Sequence, residues 1–389
     1  MFADPQAFDV DPWLLNTPSG IVDLRDGNVL PHGMLMRNQT AVAPNFRAMV
    51  EGYEQHCPRW MAYLNFIADG RDDVIPFLRR WGGGSFVGTI FELYFLFIHG
   101  LSGTGKTVYL DVLSRLAHLY GTPVSKGFFM RSLEKRTLEL YQTFKKRAVF
   151  SDEVPKGSTW DEMMLLTMLN GSELHAEGKG KAFLKFRSVA SITITGNHRP
   201  AFVTSAEESG IDRRLLVLEC NKKIAEHMPD NTRFAREVVE EEGPSILAFF
   251  IQAAMEGWQS LERTGSFYGD TVKSLVEAAR GYRRAANPFL QWIKEDMEQG
   301  EGVGFDYESK DAFKDFVAHM REQNPRYHLS KEDFRNGLEA LGFKYGQRTQ
   351  GQNLGRLVFK GFRPKPVDDP FGNDDGAGNI VKFPKPEQK

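Results

Sequence analysis

The chain has 389 residues, 41% of them hydrophobic, with 49 Lys and Arg against 51 Asp and Glu and a net charge of −2. That length fits two or three domains with a sizeable core, and that balance excludes binding to nucleic acid through overall positive charge, so any such contact must come from local patches. Two cysteines, Cys57 and Cys220, exclude a disulfide framework or a cysteine-based zinc site and fit a reducing cytoplasm.

The N-terminus, Met-Phe-Ala-Asp-Pro, has no basic stretch followed by an apolar one, so no signal peptide is expected. The longest apolar run, around Phe95–Ile98, is too short to span a bilayer. A cytoplasmic protein without a membrane partner is expected. Residues 1–45 read as turns and short strands, with Ile21-Val-Asp-Leu and Asp26-Gly27 forming a small hairpin. Residues 46–80 place Phe46, Met49, Val50 and Tyr53, then Trp60, Tyr63, Leu64 and Ile67, near helical spacing. Residues 1–80 are therefore expected to be a mainly helical region, of the kind that serves as an oligomerisation collar. Arg79-Arg80 followed by Trp81-Gly-Gly-Gly84 marks a boundary, and the core domain is placed at 81–225.

That core is organised around Gly100-Leu-Ser-Gly-Thr-Gly-Lys-Thr107. An apolar run, Tyr94 to His99, precedes it and a helical pattern, Val108 to Tyr120, follows. Strand, glycine loop and helix are the context a phosphate-binding loop needs. Gly100, Gly103 and Gly105 let the backbone turn so that its N–H groups can face phosphate oxygens. Thr104 belongs to the same nucleotide-binding stretch. Lys106 can reach the β- and γ-phosphates of ATP, and Thr107 can offer its hydroxyl to Mg²⁺. The helix that follows presents its positive end to the same anion.

A second strand, Arg147-Ala-Val-Phe-Ser-Asp-Glu153, ends in two carboxylates 46 positions beyond Lys106. Asp152 is expected to order Mg²⁺ through a water, and Glu153 to polarise the attacking water. A third, Ala190-Ser-Ile-Thr-Ile-Thr-Gly-Asn197, ends in an amide that could sense the γ-phosphate. Arg213 and Arg214 then precede Leu215-Leu-Val-Leu218. In a monomeric kinase such arginines would clamp phosphates within one site; in a ring ATPase they would reach a neighbour's γ-phosphate. Between the second and third strands, Glu177-Gly-Lys-Gly-Lys181 is the turn of a hairpin. Lys179 and Lys181 lie at its tip and Lys185 on its return strand, which suits contact with a phosphodiester backbone.

Residues 226–300 read as helices, with 299–304 as a linker. Residues 301–366 read as helix, helix and β-wing: a winged helix. Ser330 is placed to cap the second helix with Asp333 three residues on. Residues 307–366 hold 12 Lys and Arg against 7 Asp and Glu, and Phe343 to Pro366 carries no acid, which favours a DNA-facing wing. Residues 367–389, with Asp-Asp and Gly-Asn-Asp-Asp-Gly and scattered prolines, read as a disordered tail.

Together these landmarks resemble the superfamily 3 helicases of the AAA+ class, and most closely the helicase portion of phage/plasmid-type primase-helicases. Thr193-Ile-Thr-Gly-Asn-His-Arg-Pro200 followed by Ile211-Asp-Arg-Arg214 is similar to that family's sensor and finger region. Phe8-Asp-Val-Asp-Pro-Trp-Leu-Leu-Asn-Thr-Pro-Ser-Gly-Ile-Val-Asp-Leu24 resembles the segment before its ATPase. The resemblance spans roughly residues 8–365 and is strong over 96–218. It implies an α/β fold with a mostly parallel sheet. It also implies a hexameric ring that uses ATP and Mg²⁺ to move 3′→5′ on single-stranded DNA, with Arg213 or Arg214 completing the neighbour's site. Family members often carry a primase domain upstream, so a primase or polymerase domain or protein is a further expected partner. The hairpin departs from the family in having Glu177 where a basic residue is expected. Two other readings are weighed: a P-loop kinase, which has less use for an Asn-tipped strand, and an ATP-gated origin-binding or assembly module with little turnover, which has no use for Glu153.

Overall fold

The computed structural model describes residues 7–33, 36–131, 136–178, 183–202, 210–211, 213–224, 231–323 and 329–366. Its first strands are short and antiparallel: β1 (Leu14–Thr17) pairs with β2 (Gly20–Asp23), and β2 with β3 (Val29–Leu30). Gly27 takes φ 80° in the turn between the last two, a conformation glycine adopts without cost. Four helices follow: α1 (Arg47–Glu51), α2 (Tyr53–His56), α3 (Pro58–Ala68) and α4 (Val74–Gly84). Then come β4 (Phe95–Gly100), α5 (Lys106–Ala117), β5 (Gly121–Val124), α6 (Thr137–Gln142), β6 (Ala148–Ser151) and α7 (Glu162–Leu169). The hairpin β7 (Glu173–Ala176) and β8 (Leu184–Arg187) precedes β9 (Ser191–Gly196) and β10 (Leu215–Cys220). Helices α8 (Asn231–Thr264), α9 (Lys273–Ala286) and α10 (Pro288–Asp296) lead into the C-terminal elements.

Five strands form one parallel sheet in the order β10–β4–β9–β6–β5. Alternate residues of β4 point to opposite faces, as a strand requires. Leu96 and Ile98 enter one core with α3, α4, α5 and α8, while Phe95 and Phe97 enter another with Trp160, α7 and Tyr282 of α9. A sheet covered on both faces explains why β4 is a continuous apolar run rather than an alternating one.

The described elements before residue 81 share the first of these cores. Trp13, Leu15, Trp60 and Phe77 lie in it with residues of α5 and α8. Trp13 meets Trp258 edge-on at 4.7 Å. Trp81-Gly-Gly-Gly84, read from the sequence as a boundary, is the last turn of α4 and is buried. A Cβ at Gly82 would fall 2.1 Å from the Phe250 ring of α8, and one at Gly83 2.7 Å from Phe250 O and Ala254 N. The glycines let two helices approach more closely than any side chain permits.

The C-terminal part has its own core, from Phe289 and Trp292 to Phe359 and Phe362. It contains β11 (Met297–Gln299), β12 (Asp306–Glu308), α11 (Ser309–Gln323), α12 (Lys331–Ala340), β13 (Lys344–Gln347), β14 (Leu357–Lys360) and β15 (Phe362–Pro364). Strands β12, β14 and β13 form an antiparallel sheet in that order, and β11 pairs with β15. Residues read as a linker, 299–304, are thus tied to the module, which takes in α10 as well. Ser330 caps α12 as its sequence suggested, accepting from Asp333 N at 3.0 Å.

This packing changes the charge argument. Counted over 288–366, the module holds 13 Lys and Arg and 12 Asp and Glu. Arg348 donates to the Asp306 carbonyl, Arg356 pairs with Glu308 at 2.8 Å and Arg363 with Glu298 at 3.0 Å. Lys365 donates to the carbonyls of Lys294 and Glu295 at the end of α10. Four of the six cations in the acid-free stretch therefore have partners within the module. The tail, 367–389, lies outside the described residues.

Candidate active site at the ends of the parallel strands

The glycine loop leaves the C-terminal end of β4 and enters α5. Gly103 and Gly105 take φ 78° and 79°, the left-handed region that a side chain resists. Gly100 serves a different purpose from the one the motif suggests. It is the last residue of β4, and a Cβ there would fall 2.0 Å from Cys220 O on β10. Its missing side chain permits strand pairing, not a turn.

Thr104 Oγ1 and Lys106 Nζ both donate to the carbonyl of Leu101, at 2.9 and 3.0 Å. Lys106 is buried, and burial pulls its ammonium below the usual lysine range while Asp152 and Glu153 partly oppose that. Thr107 is the second residue of α5. Strands β9 and β6 bring the other groups to the same end of the sheet. A cleft of about 420 Å³ is lined by Gly103, Gly105, Lys106 and Thr107 on one side and by Asp152, Glu153 and Asn197 on the other. The three sequence landmarks, far apart in the chain, thus meet because parallel strands end together.

Two residues that the sequence did not single out set the carboxylates. Thr195 Oγ1, two positions before Asn197, donates to Asp152 Oδ1 at 2.7 Å. The same oxygen accepts from Glu153 N at 3.4 Å. Lys126, just past β5, hydrogen-bonds Glu153 and holds its carboxyl below the usual range. Glu153 itself has φ 65°, an uncommon backbone for a residue with a side chain. Asp111, one helical turn beyond Thr107, also lines the cleft, and burial raises its carboxyl. None of these carries a motif, so only the fold exposes them.

Asn197 follows β9 directly, and its Oδ1 is buried with no hydrogen-bond partner among the described residues. Beside it, His99 at the end of β4 is pushed down to about 4, by burial first and then by Arg199 and Lys106. It is neutral at ordinary pH.

Arg213 and Arg214 do not join this cleft. They precede β10, whose Leu215 pairs with Phe95 and whose Cys220 pairs with Gly100. The glycine loop is at the opposite end of that pair, about 20 Å away at ~3.3 Å per residue, too far for an arginine side chain to bridge. The two arginines also differ. Arg214 donates to Asn170 Oδ1 at 2.9 Å and to the Gly210 carbonyl. Arg213 is exposed and makes no hydrogen bond or ion pair among the described residues. On the hairpin, Lys185 is exposed and 3.5 Å from Glu173, with Phe186 buried between Lys185 and Arg187. Lys179 and Lys181 lie outside the described residues.

Comparison with known proteins adds the following. Residues 98–214 match a family model described as a family of unknown function (DUF5906), and residues 1–69 match one described as D5 N terminal like. No curated protein matches the chain. Among solved structures, the chain is similar to the A form apo structure of the NrS-1 C terminal region, at 13% identity and a TM-score of 0.42, over 77% of this chain and 74% of that one. An apo structure of the same region gives 13% and 0.39 over the same shares. A further A form apo structure gives 14% and 0.38, over 76% and 73%.

Proposed function

We propose that this chain is an ATP-hydrolysing DNA helicase of phage or plasmid replication, a superfamily 3 AAA+ motor acting as a hexameric ring on single-stranded DNA with 3′→5′ polarity. One observation carries the reading: Lys106, Asp152, Glu153 and Asn197 line a single cleft at the ends of adjacent parallel strands. The match of residues 1–69 to the model described as D5 N terminal like is in keeping with it.

In this reading Gly103, Gly105 and Lys106 hold the phosphates of ATP. Glu153 orients and polarises the attacking water, and Asn197 accepts from that water with its buried Oδ1 and donates from Nδ2 to the γ-phosphate. Thr107 and Asp152 are the groups that would hold Mg²⁺, which supplies charge neutralisation on the phosphates. Their oxygens are hard donors that suit this ion. Among the described residues no group of three or more His, Cys, Asp or Glu could hold a metal alone. A nucleotide-linked Mg²⁺ needs fewer, since phosphates and waters fill the remaining positions.

The distance between the glycine loop and Arg213 favours an assembly over a lone kinase. An arginine at the far end of β10 is out of reach of its own glycine loop, so in this reading its target is another copy's phosphate. Arg213, exposed and without a partner among the described residues, is the better finger; Arg214 is engaged in holding its own turn. The hairpin β7–β8 presents Lys185 and Arg187 on its exposed face and is the proposed DNA contact, to which the sequence reading adds Lys179 and Lys181. We read the C-terminal module as a winged helix, and within its acid-free stretch the paired cations leave Lys344 and Lys360 as candidates for DNA. A primase or polymerase partner remains part of this proposal. No helix among the described residues is long and apolar enough to cross a membrane.

The test compares ATP binding and turnover in the wild type, Glu153→Gln and Lys106→Ala. Glu153→Gln should bind ATP and not turn it over, while Lys106→Ala should lose both. Unchanged turnover in Glu153→Gln would overturn the assigned chemistry.

A further inference from the structure

The glycine loop is gripped from outside by residues with no assigned role. Tyr63 of α3 donates its hydroxyl to the carbonyl of Gly105 at 3.2 Å. Ile224, just past β10, donates its N–H to the carbonyl of Gly103 at 2.8 Å. Around Gly105, the position a Cβ would take lies 3.3 Å from Ile224 Cδ1, 3.6 Å from Tyr63 and 3.7 Å from the ring of Phe66. Phe66 sits one helical turn beyond Tyr63 and is half-buried. Lys222 Nζ stands 5.7 Å from that ring's centre and 3.3 Å from Asp69.

The order of the strands says what these residues border. Asp152 and Asn197, just past β6 and β9, mark the side of β4 where the terminal phosphate reacts. A triphosphate lying along the loop must then direct its nucleoside to the other side of β4. That side belongs to β10, and there Phe66, Ile224 and Lys222 converge. An aromatic ring and an aliphatic side chain suit the flat, apolar faces of a nucleobase, and an ammonium suits the α-phosphate or ribose oxygens.

We infer that α3 forms the nucleoside wall of the site: Phe66, with Ile224 opposite it across Gly105, packs on the base of the bound nucleotide, and Tyr63 holds the loop beside it. The inference rests on the nucleotide-site reading above and adds to it a role for the N-terminal segment. It makes the N-terminal helices part of the catalytic unit rather than an appended collar.

The experiment measures binding of ATP and of inorganic tripolyphosphate to the full chain by calorimetry, in the wild type, Phe66→Ala and Phe66→Leu. Melting curves are taken on each to establish that the variants fold. If Phe66 contacts the base, ATP binds about tenfold more weakly in both variants while tripolyphosphate binds as before. Phe66→Leu keeps the apolar bulk, so its loss isolates the ring. Equal weakening of both ligands would mean that Phe66 only supports the loop, and unchanged ATP affinity would place the base elsewhere; either overturns the inference. If the wild type bound neither ligand, the underlying nucleotide-site reading would fail, an outcome distinct from both.

Discussion

Thr195 Oγ1 donates to Asp152 Oδ1 over 2.7 Å, and so ties the tip of β9 to the tip of β6 inside the cleft. Its hydroxyl also accepts from Glu153 N, so one small side chain fixes both members of the Asp-Glu pair. Thr195→Val keeps the shape and removes both bonds. The expected result is a fall in kcat of about tenfold or more, in line with other residues that orient a metal-binding carboxylate, with ATP affinity little changed. Steady-state kinetics with a separate binding measurement checks it.

Arg213 and Arg214 should separate cleanly. Arg213→Ala should lower turnover by roughly 10³-fold or more without lowering the melting temperature. Arg214→Ala should lower the melting temperature, because Asn170 and Gly210 lose their partner. Mixing Arg213→Ala with Lys106→Ala should restore part of the activity, since one copy supplies the finger and the other the intact glycine loop. Absence of that complementation would count against a shared site.

Arg147 is buried just before β6 and donates to the carbonyls of Phe86 at 2.7 Å and Leu14 at 2.8 Å, with its guanidinium 4.5 Å from the centre of the Tyr120 ring. It joins the N-terminal strands to the strand that carries Asp152. Arg147→Met leaves buried carbonyls unpaired and should cost about 3 kcal/mol. Chemical denaturation measures this, and a change below about 0.5 kcal/mol would contradict the assigned role.

His99 sets a pH dependence. The unfolded chain takes up the imidazole proton near 6.5, whereas in the fold burial, Arg199 and Lys106 delay it to about 4. The unfolded state therefore binds more protons within that window, so stability falls as pH drops through it and the contribution is complete above it. Stability of His99→Gln, measured from pH 7 to 4, should decline less than that of the wild type. Parallel curves would remove His99 as the source.

How much of this was legible beforehand follows from how each feature is encoded. The glycine loop, the Asp-Glu pair and the Asn-tipped strand are local patterns, and the structure brings all three to one cleft. The hairpin and the Ser330 cap are local too, and both form. What depends on a distant partner was misread or unseen. Gly82 and Gly83 read as a boundary because Phe250 and Ala254, which they touch, lie far along the chain. The cations after Phe343 looked unopposed because Asp306, Glu308 and Glu298 come earlier in the chain, on β12 and β11, which the fold brings beside them. Tyr63, Lys126 and Thr195 carry no motif at all. Their positions come from how α3, β5 and β9 pack around the loop.

The most direct test of the central claim is steady-state ATP hydrolysis with and without single-stranded DNA, on the wild type and Lys106→Ala, with the oligomeric state read on the same samples. The account predicts a ring whose turnover is stimulated by the DNA and abolished by the substitution. A monomer whose turnover is indifferent to single-stranded DNA, or an assembly that binds ATP without turning it over, would contradict it.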